Sequence, residues 1–181
     1  MRIIGGQFKG HRFTPPAKKW PTRPTTDISK EALYNILENR VDFEDIKFLD
    51  LFGGTGSHCY ECISRGCTDA TYVDKFPGCV AFVQQMAEKL DISSKLNIHR
   101  MNVFTFIKRC EEKYDYIFAG PPYPLPNIPE IPDLILNQGM LKEKGFLVLE
   151  HNPNVDLSKH THLKEKRNYG QTIFSFFEES K

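Results

Sequence analysis

With 181 residues, 40% of them hydrophobic and 26% charged, the chain suits one domain with a sizeable core and is too ordinary in composition to be disordered or fibrous. No apolar run approaches the roughly 20 residues that span a bilayer, and Met1-Arg2-Ile3-Ile4-Gly5-Gly6 lacks the apolar core of a signal peptide. The expectation is a cytoplasmic protein with no membrane partner. The net charge of +1 hides an asymmetry: residues 1–24 hold six basic residues and no acid, leaving 18 basic against 23 acidic residues beyond them. The six are Arg2, Lys9, Arg12, Lys18, Lys19 and Arg23, a pattern that predicts a basic arm for a polyanion such as RNA. It divides the chain into an arm over 1–24 and a main domain over 25–181.

Ile3–Phe8 and His11–Thr14 read as a short β-hairpin around Lys9-Gly10, followed by a proline-punctuated connector. Thr25, Thr26 and Asp27 are N-cap types. They precede a helix whose Ile28, Ala32, Leu33, Ile36 and Leu37 form one apolar face. From Lys47 onward, apolar runs alternate with helical patterns. Strands are expected at Phe48–Phe52, Ala70–Val73, Leu96–His99, Tyr114–Ala119 and Phe146–Leu149. Helices are expected at Cys59–Ser64, Val80–Leu90, Phe104–Arg109 and Leu134–Met140. That alternation predicts an α/β domain with a mostly parallel sheet and helices on both faces. Leu163–Arg167 and Thr172–Phe177 flank the turn-rich Asn168-Tyr169-Gly170-Gln171 and predict an antiparallel hairpin at the end. A parallel sheet closed by a hairpin is what methyltransferases of the three-layer, seven-stranded Rossmann-like class use.

Two loops carry the chemistry. Gly53-Gly54-Thr55-Gly56 follows the first main strand and opens a helix, where glycines let backbone N–H groups approach a ligand. Asp50 and Phe52 precede it. The order acid, spacer, aromatic, glycines differs from the Gly-x-Gly-x-x-Gly of dinucleotide sites and favours S-adenosylmethionine, with Asp50 orienting the loop and reaching the amino end of the cofactor. Asp74, with Lys75, ends the second strand and suits the ribose hydroxyls, or caps the next helix. Asn102, with Val103, follows the third strand and suits the adenine edge, or caps the helix at Phe104.

The second loop is Gly120-Pro121-Pro122-Tyr123, where an apolar strand stops. An exocyclic amine has its lone pair delocalised into the base, so methylating it calls for orientation and electrostatics. Acceptors aimed at its N–H bonds turn the lone pair toward the methyl. Prolines remove competing donors, and a terminal aromatic stacks on the base. An Asp or Asn is expected at the position of Gly120. By analogy with a lost oxyanion-hole donor, its absence costs roughly 2.7–4 kcal/mol, or about 100- to 1000-fold in rate.

The chain resembles the bacterial 16S ribosomal RNA guanine-N2 methyltransferases of the RsmD type. The resemblance rests on Arg2-Ile3-Ile4-Gly5-Gly6 with Phe8-Lys9-Gly10, on Arg23-Pro24-Thr25-Thr26-Asp27, and on Glu31-Ala32-Leu33-Tyr34-Asn35. It continues through Leu49–Gly56, Ser64-Arg65-Gly66, Leu149-Glu150-His151 and Tyr169-Gly170-Gln171-Thr172. It implies transfer of a methyl to N2 of a guanine in 16S ribosomal RNA, within the small subunit or its assembly intermediate. It also implies a monomer whose basic arm contacts RNA phosphates, and it sets Arg23 and Thr25 near the cofactor carboxylate or the target base. Gly120, Asn102 and His58-Cys59-Tyr60 depart from the family pattern.

Other residues carry blander readings. Cys59-x-x-Cys62 has no second ligand pair, so the expectation is buried thiols and no metal. The odd total of five cysteines argues against a disulfide framework. His151 reads as a loop residue, and Phe174, Phe176 and Phe177 as sheet core. Two other functions remain open on the residues. A DNA adenine-N6 or protein glutamine methyltransferase uses a similar proline loop, although a DNA enzyme needs a recognition region for which there is no room. Gly120 supports a non-catalytic RNA- or ribosome-binding module.

Overall fold

The computed structural model describes residues 1–15 and 25–179. Lys18, Lys19 and Arg23 of the basic arm lie outside these described residues. The main domain runs β1 (Lys47–Leu51), α2 (Ser57–Ser64), β2 (Asp69–Asp74), α3 (Pro77–Lys89), β3 (Leu96–Arg100), α4 (Val103–Arg109), β4 (Tyr114–Ala119), α5 (Ile131–Asn137), β5 (Leu141–His151), β6 (Leu163–Tyr169) and β7 (Thr172–Glu178), preceded by α1 (Asp27–Leu37). The strands form one sheet in the order β3-β2-β1-β4-β5-β7-β6. The first five strands are mutually parallel, while β7 runs antiparallel between β5 and β6. This is the predicted fold class.

Alternation along each strand divides the core in two. Phe48, Tyr116, Phe118, Phe146 and Val148 face α1, α2 and α3, and Leu49, Leu51, Ile117, Ala119 and Leu149 face α4 and α5. The chain leaves β1 toward β2 on one side, and β4 lies on the other. Their C-terminal ends therefore flank the crevice at which open α/β sheets bind ligands.

Element types agree with the sequence expectation, and several details differ. The arm makes one isolated bridge, Arg2 to Arg12, in place of a β-hairpin. Between them the chain turns through Gly5 and Gly6 and seats on α2. Gln7 N–H donates to the Ser64 carbonyl at 2.7 Å, and the Ile4 and Gly5 N–H groups donate to the Glu61 carboxylate at 2.9 and 2.8 Å. Gly6 has φ 74°, and a Cβ there would collide with the Ser64 carbonyl, so the seat requires glycine. Ile3 and Phe13 are buried in the main core.

Helix α1 rolls its expected face. Ile28 is 79% exposed, whereas Lys30 is fully buried beside Leu33, Tyr34 and Leu37. The Lys30 ammonium lies 3.4 Å from Glu61 and donates to the Arg2 carbonyl and the Ser57 hydroxyl. Helix α5 starts three residues before its expected position, because Pro132 suits its first turn and Gly139, at φ 69°, follows its end. His151 is no loop residue. It ends β5, is 1% exposed, and shares a 2.8 Å hydrogen bond with Ser175.

Candidate active site

The glycine loop is held from β2. Gly53 N–H donates to the Val73 carbonyl, the Tyr72 hydroxyl donates to the Gly54 carbonyl at 2.6 Å, and Gly54 N–H donates to Asp74 Oδ2 at 3.0 Å. A Cβ on Gly53 would collide with the Tyr72 ring. Phe52 adopts φ 60°, a left-handed backbone that bulky residues rarely take. Strain of that kind persists only where the surroundings impose it. The loop opens onto a cavity of about 490 Å³ at the C-terminal ends of β1, β2, β4 and β5.

This cavity brings together Asp50, Phe52, Gly53, Gly54 and Thr55 from the first loop and Gly120, Pro121, Pro122 and Tyr123 from the second. Thr25, Asp74, Lys75, Asn102 and Val103 also line it. Gly56 does not line it; its left-handed backbone (φ 78°) turns the loop into α2. Of the basic residues, Arg2, Lys9 and Arg12 are exposed outside the cavity, and Arg2 lies 3.8 Å from both Asp27 and Glu31. The arm reaches the glycine loop through Met1, whose sulfur accepts a hydrogen bond from the Thr55 hydroxyl at 3.3 Å.

Several roles are visible in the hydrogen bonds. Asp74 caps the turn into α3, its Oδ1 accepting from Phe76 N–H at 2.8 Å. Asn102 caps α4, accepting from the N–H groups of Phe104 and Thr105. Asp50 is 1% exposed, and its Oδ2 accepts from the Cys59 thiol at 3.5 Å. Burial pushes its carboxyl up to about 8, opposed by the Cys59 hydrogen bond and assisted by the negative charges of Asp74 and Glu150. Burial in turn pushes the Cys59 and Cys62 thiols well above their ordinary range. All five cysteines are free and buried, and no metal-holding cluster occurs among the described residues.

The sequence reading missed a polar chain along the cavity wall. His58 stacks on Phe118 with ring centroids 3.7 Å apart, and its two ring nitrogens meet the Thr25 hydroxyl at 3.2 Å and the Tyr34 hydroxyl at 3.3 Å. Burial, together with the Lys30 charge, holds His58 neutral, with its pKa well below the usual imidazole value. The Thr25 hydroxyl also donates to Glu150 Oε2, and the Tyr123 hydroxyl donates to Glu150 Oε1 at 3.1 Å. Glu150 follows the apolar run Phe146–Leu149 just as Asp74 follows Tyr72-Val73, so the rule that selected Asp74 would have selected it. Phe104, Phe76 and Leu125 add apolar wall that no motif marked.

A doubly wound sheet with a glycine loop and a Pro-Pro-Tyr loop in one crevice defines the Rossmann-like methyltransferase class. The family model described as Conserved hypothetical protein 95 matches residues 1–178. The chain belongs to this family, the RsmD type. YlbH of Bacillus subtilis, named provisionally as an rRNA methyltransferase, is 30% identical over 178 residues, covering 95% of this chain and 95% of its own. Ribosomal RNA small subunit methyltransferase D of Escherichia coli K12 is 28% identical over 152 residues, covering 83% of this chain and 74% of its own. A solved structure of a hypothetical protein from Thermus thermophilus is 26% identical with a TM-score of 0.85, covering 98% of this chain and 99% of its own.

Proposed function

We propose that this protein is an S-adenosylmethionine-dependent methyltransferase acting on the exocyclic N2 amine of a guanine in 16S ribosomal RNA, in the small subunit or its assembly intermediate. The observation that carries the reading is the meeting of the glycine loop and the Pro-Pro-Tyr loop in one cavity of about 490 Å³. The names of the two relatives support ribosomal RNA over DNA as the substrate.

The donor set suits S-adenosylmethionine. Phe52 and Phe104, whose rings meet edge to face at 6.1 Å, give the cavity an apolar wall for adenine beside Asn102 and Val103. Asp74, already fixed by two backbone N–H groups, presents its carboxylate to the ribose hydroxyls. Asp50 lies toward the amino end, where a cationic ligand would favour its ionised form, and Thr25 and Lys75 border the same cavity. When bound, the cofactor supplies an electrophilic methyl on a sulfonium. Pro121 and Pro122 hold the backbone carbonyls at the mouth of the second loop, and Tyr123 offers a ring to the base. Methyl transfer would leave the amine nitrogen with one proton to give up, and acceptors at this loop would orient that N–H.

The test is transfer of labelled methyl groups from S-adenosylmethionine to small subunits from cells lacking the protein. Label recovered as N2-methylguanosine is expected. Cofactor binding without any transfer would instead support the non-catalytic module that Gly120 suggests.

A further inference from the structure

We propose that Glu150 is the carboxylate that receives the target amine, standing in for the side chain that Gly120 lacks. This rests on the guanine-N2 reading above. The parallel register pairs Phe118 with Val148 and Ala119 with Leu149, so Gly120 and Glu150 are the next residues on neighbouring strands. Registered residues of a parallel pair share a face, so Glu150 leaves the sheet on the side where a residue-120 side chain would stand. Its antiparallel partner Phe174 lies in the core cluster on that same side.

The place itself is partly filled. A Cβ on Gly120 would meet the Phe118 ring edge at 3.0 Å, and that ring is stacked on His58. An Asp at 120 would require the Phe118 ring to give by a few tenths of an ångström. The acceptor is instead provided one strand away. Glu150 is 5% exposed and borders the cavity alongside Gly120, Pro121, Pro122 and Tyr123. The Tyr123 and Thr25 hydroxyls each donate to one of its oxygens, which fixes the carboxylate plane. The other cavity carboxylates serve elsewhere: Asp74 takes the N–H groups of Gly54 and Phe76, and Asp50 sits beneath the glycine loop against Cys59.

In the reaction, Glu150 accepts a hydrogen bond from one amine N–H. As the nitrogen bonds to the methyl carbon and the carbon–sulfur bond breaks, that N–H becomes acidic, and its proton passes to the Glu150 carboxylate and then to water.

Inosine differs from guanosine by loss of the N2 amine, so it isolates this contact. The probe is the small subunit carrying either unmodified guanosine at the target position, mapped beforehand by mass spectrometry, or inosine there. Binding is measured with S-adenosylhomocysteine present. The wild-type protein is expected to prefer guanosine by about 10- to 100-fold, the value of a hydrogen bond to a charged group. Glu150→Ala should abolish the preference and slow single-turnover transfer by about 100-fold, with S-adenosylmethionine affinity unchanged. Gly120→Asp in the Glu150→Ala background should restore part of both. Glu150→Gln keeps the shape and one uncharged acceptor and covers the case of an unfolded alanine variant; it should lose preference by about tenfold. A Glu150 variant that folds and prefers guanosine as strongly as the wild type overturns the proposal. A wild-type protein that binds both subunits equally overturns the guanine-N2 reading, and the Glu150 proposal falls with it.

Discussion

Asp50 offers a sharp thermodynamic test, because its carboxyl is pushed from 3.8 to about 8 by burial. Between these values the folded chain holds a proton on Asp50 that the unfolded chain has released. Stability from this group is therefore complete below pH 4 and declines as pH rises toward 8, by about 1.4 kcal/mol per pH unit. From pH 4 to pH 7 the loss is on the order of 4 kcal/mol. Asp50→Asn preserves shape and has no such titration. It should gain on the wild type steadily from pH 5 to pH 7, with the difference levelling above pH 8. Urea unfolding of both proteins without cofactor at pH 5, 6, 7 and 8 measures this directly. Parallel stability curves across that range would refute the reasoning. The same residue links stability to function. If Asp50 ionises against the cationic cofactor, binding releases a proton at neutral pH, which calorimetry detects as a dependence on buffer ionisation enthalpy, and Asp50→Asn binds more weakly.

Glu61→Ala should destabilise the fold by about 3–5 kcal/mol, because it leaves the buried Lys30 without its carboxylate partner; hydrogen exchange should then speed at Ile4 and Gly5, whose N–H groups donate to Glu61. Gly6→Ala should cost roughly 1–3 kcal/mol through backbone strain and the clash with Ser64, measured by thermal unfolding, with cofactor binding retained. Gly53→Ala forces the Tyr72 ring away from the glycine loop, so S-adenosylmethionine affinity by calorimetry should fall at least tenfold, about 1.4 kcal/mol. Tyr123→Phe keeps the ring and removes its hydrogen bond to Glu150; it should slow transfer about tenfold, whereas Tyr123→Ala should also weaken RNA binding by roughly 1–3 kcal/mol.

Local signals made the central strands legible. Strand β4 ends at Ala119 as expected because Pro121 and Pro122 cannot continue it. Most of the expected cofactor and amine-loop residues meet in one cavity because they lie at or just past the ends of strands of the parallel sheet, and parallel strands end on the same side. Partnerships between distant residues were not legible. Ile28 and Lys30 stand on opposite faces of α1, and residue type alone favours Ile28 for the core; the burial of Lys30 depends on Glu61, on another helix. The arm read as a hairpin because two short segments flank the turn residues Lys9-Gly10, while the seat on Ser64 and Glu61 is tertiary. Glu150 carried the same signal as Asp74, but its link to Tyr123 and Thr25 crosses three separated segments.

The central claim is methylation of guanine N2 in small-subunit ribosomal RNA, and its most direct test is mass spectrometry of that RNA from cells with the protein, without it, and with it restored. One N2-methylguanosine should vanish in its absence and return on restoration. An unchanged N2-methylguanosine profile across the three would contradict the account.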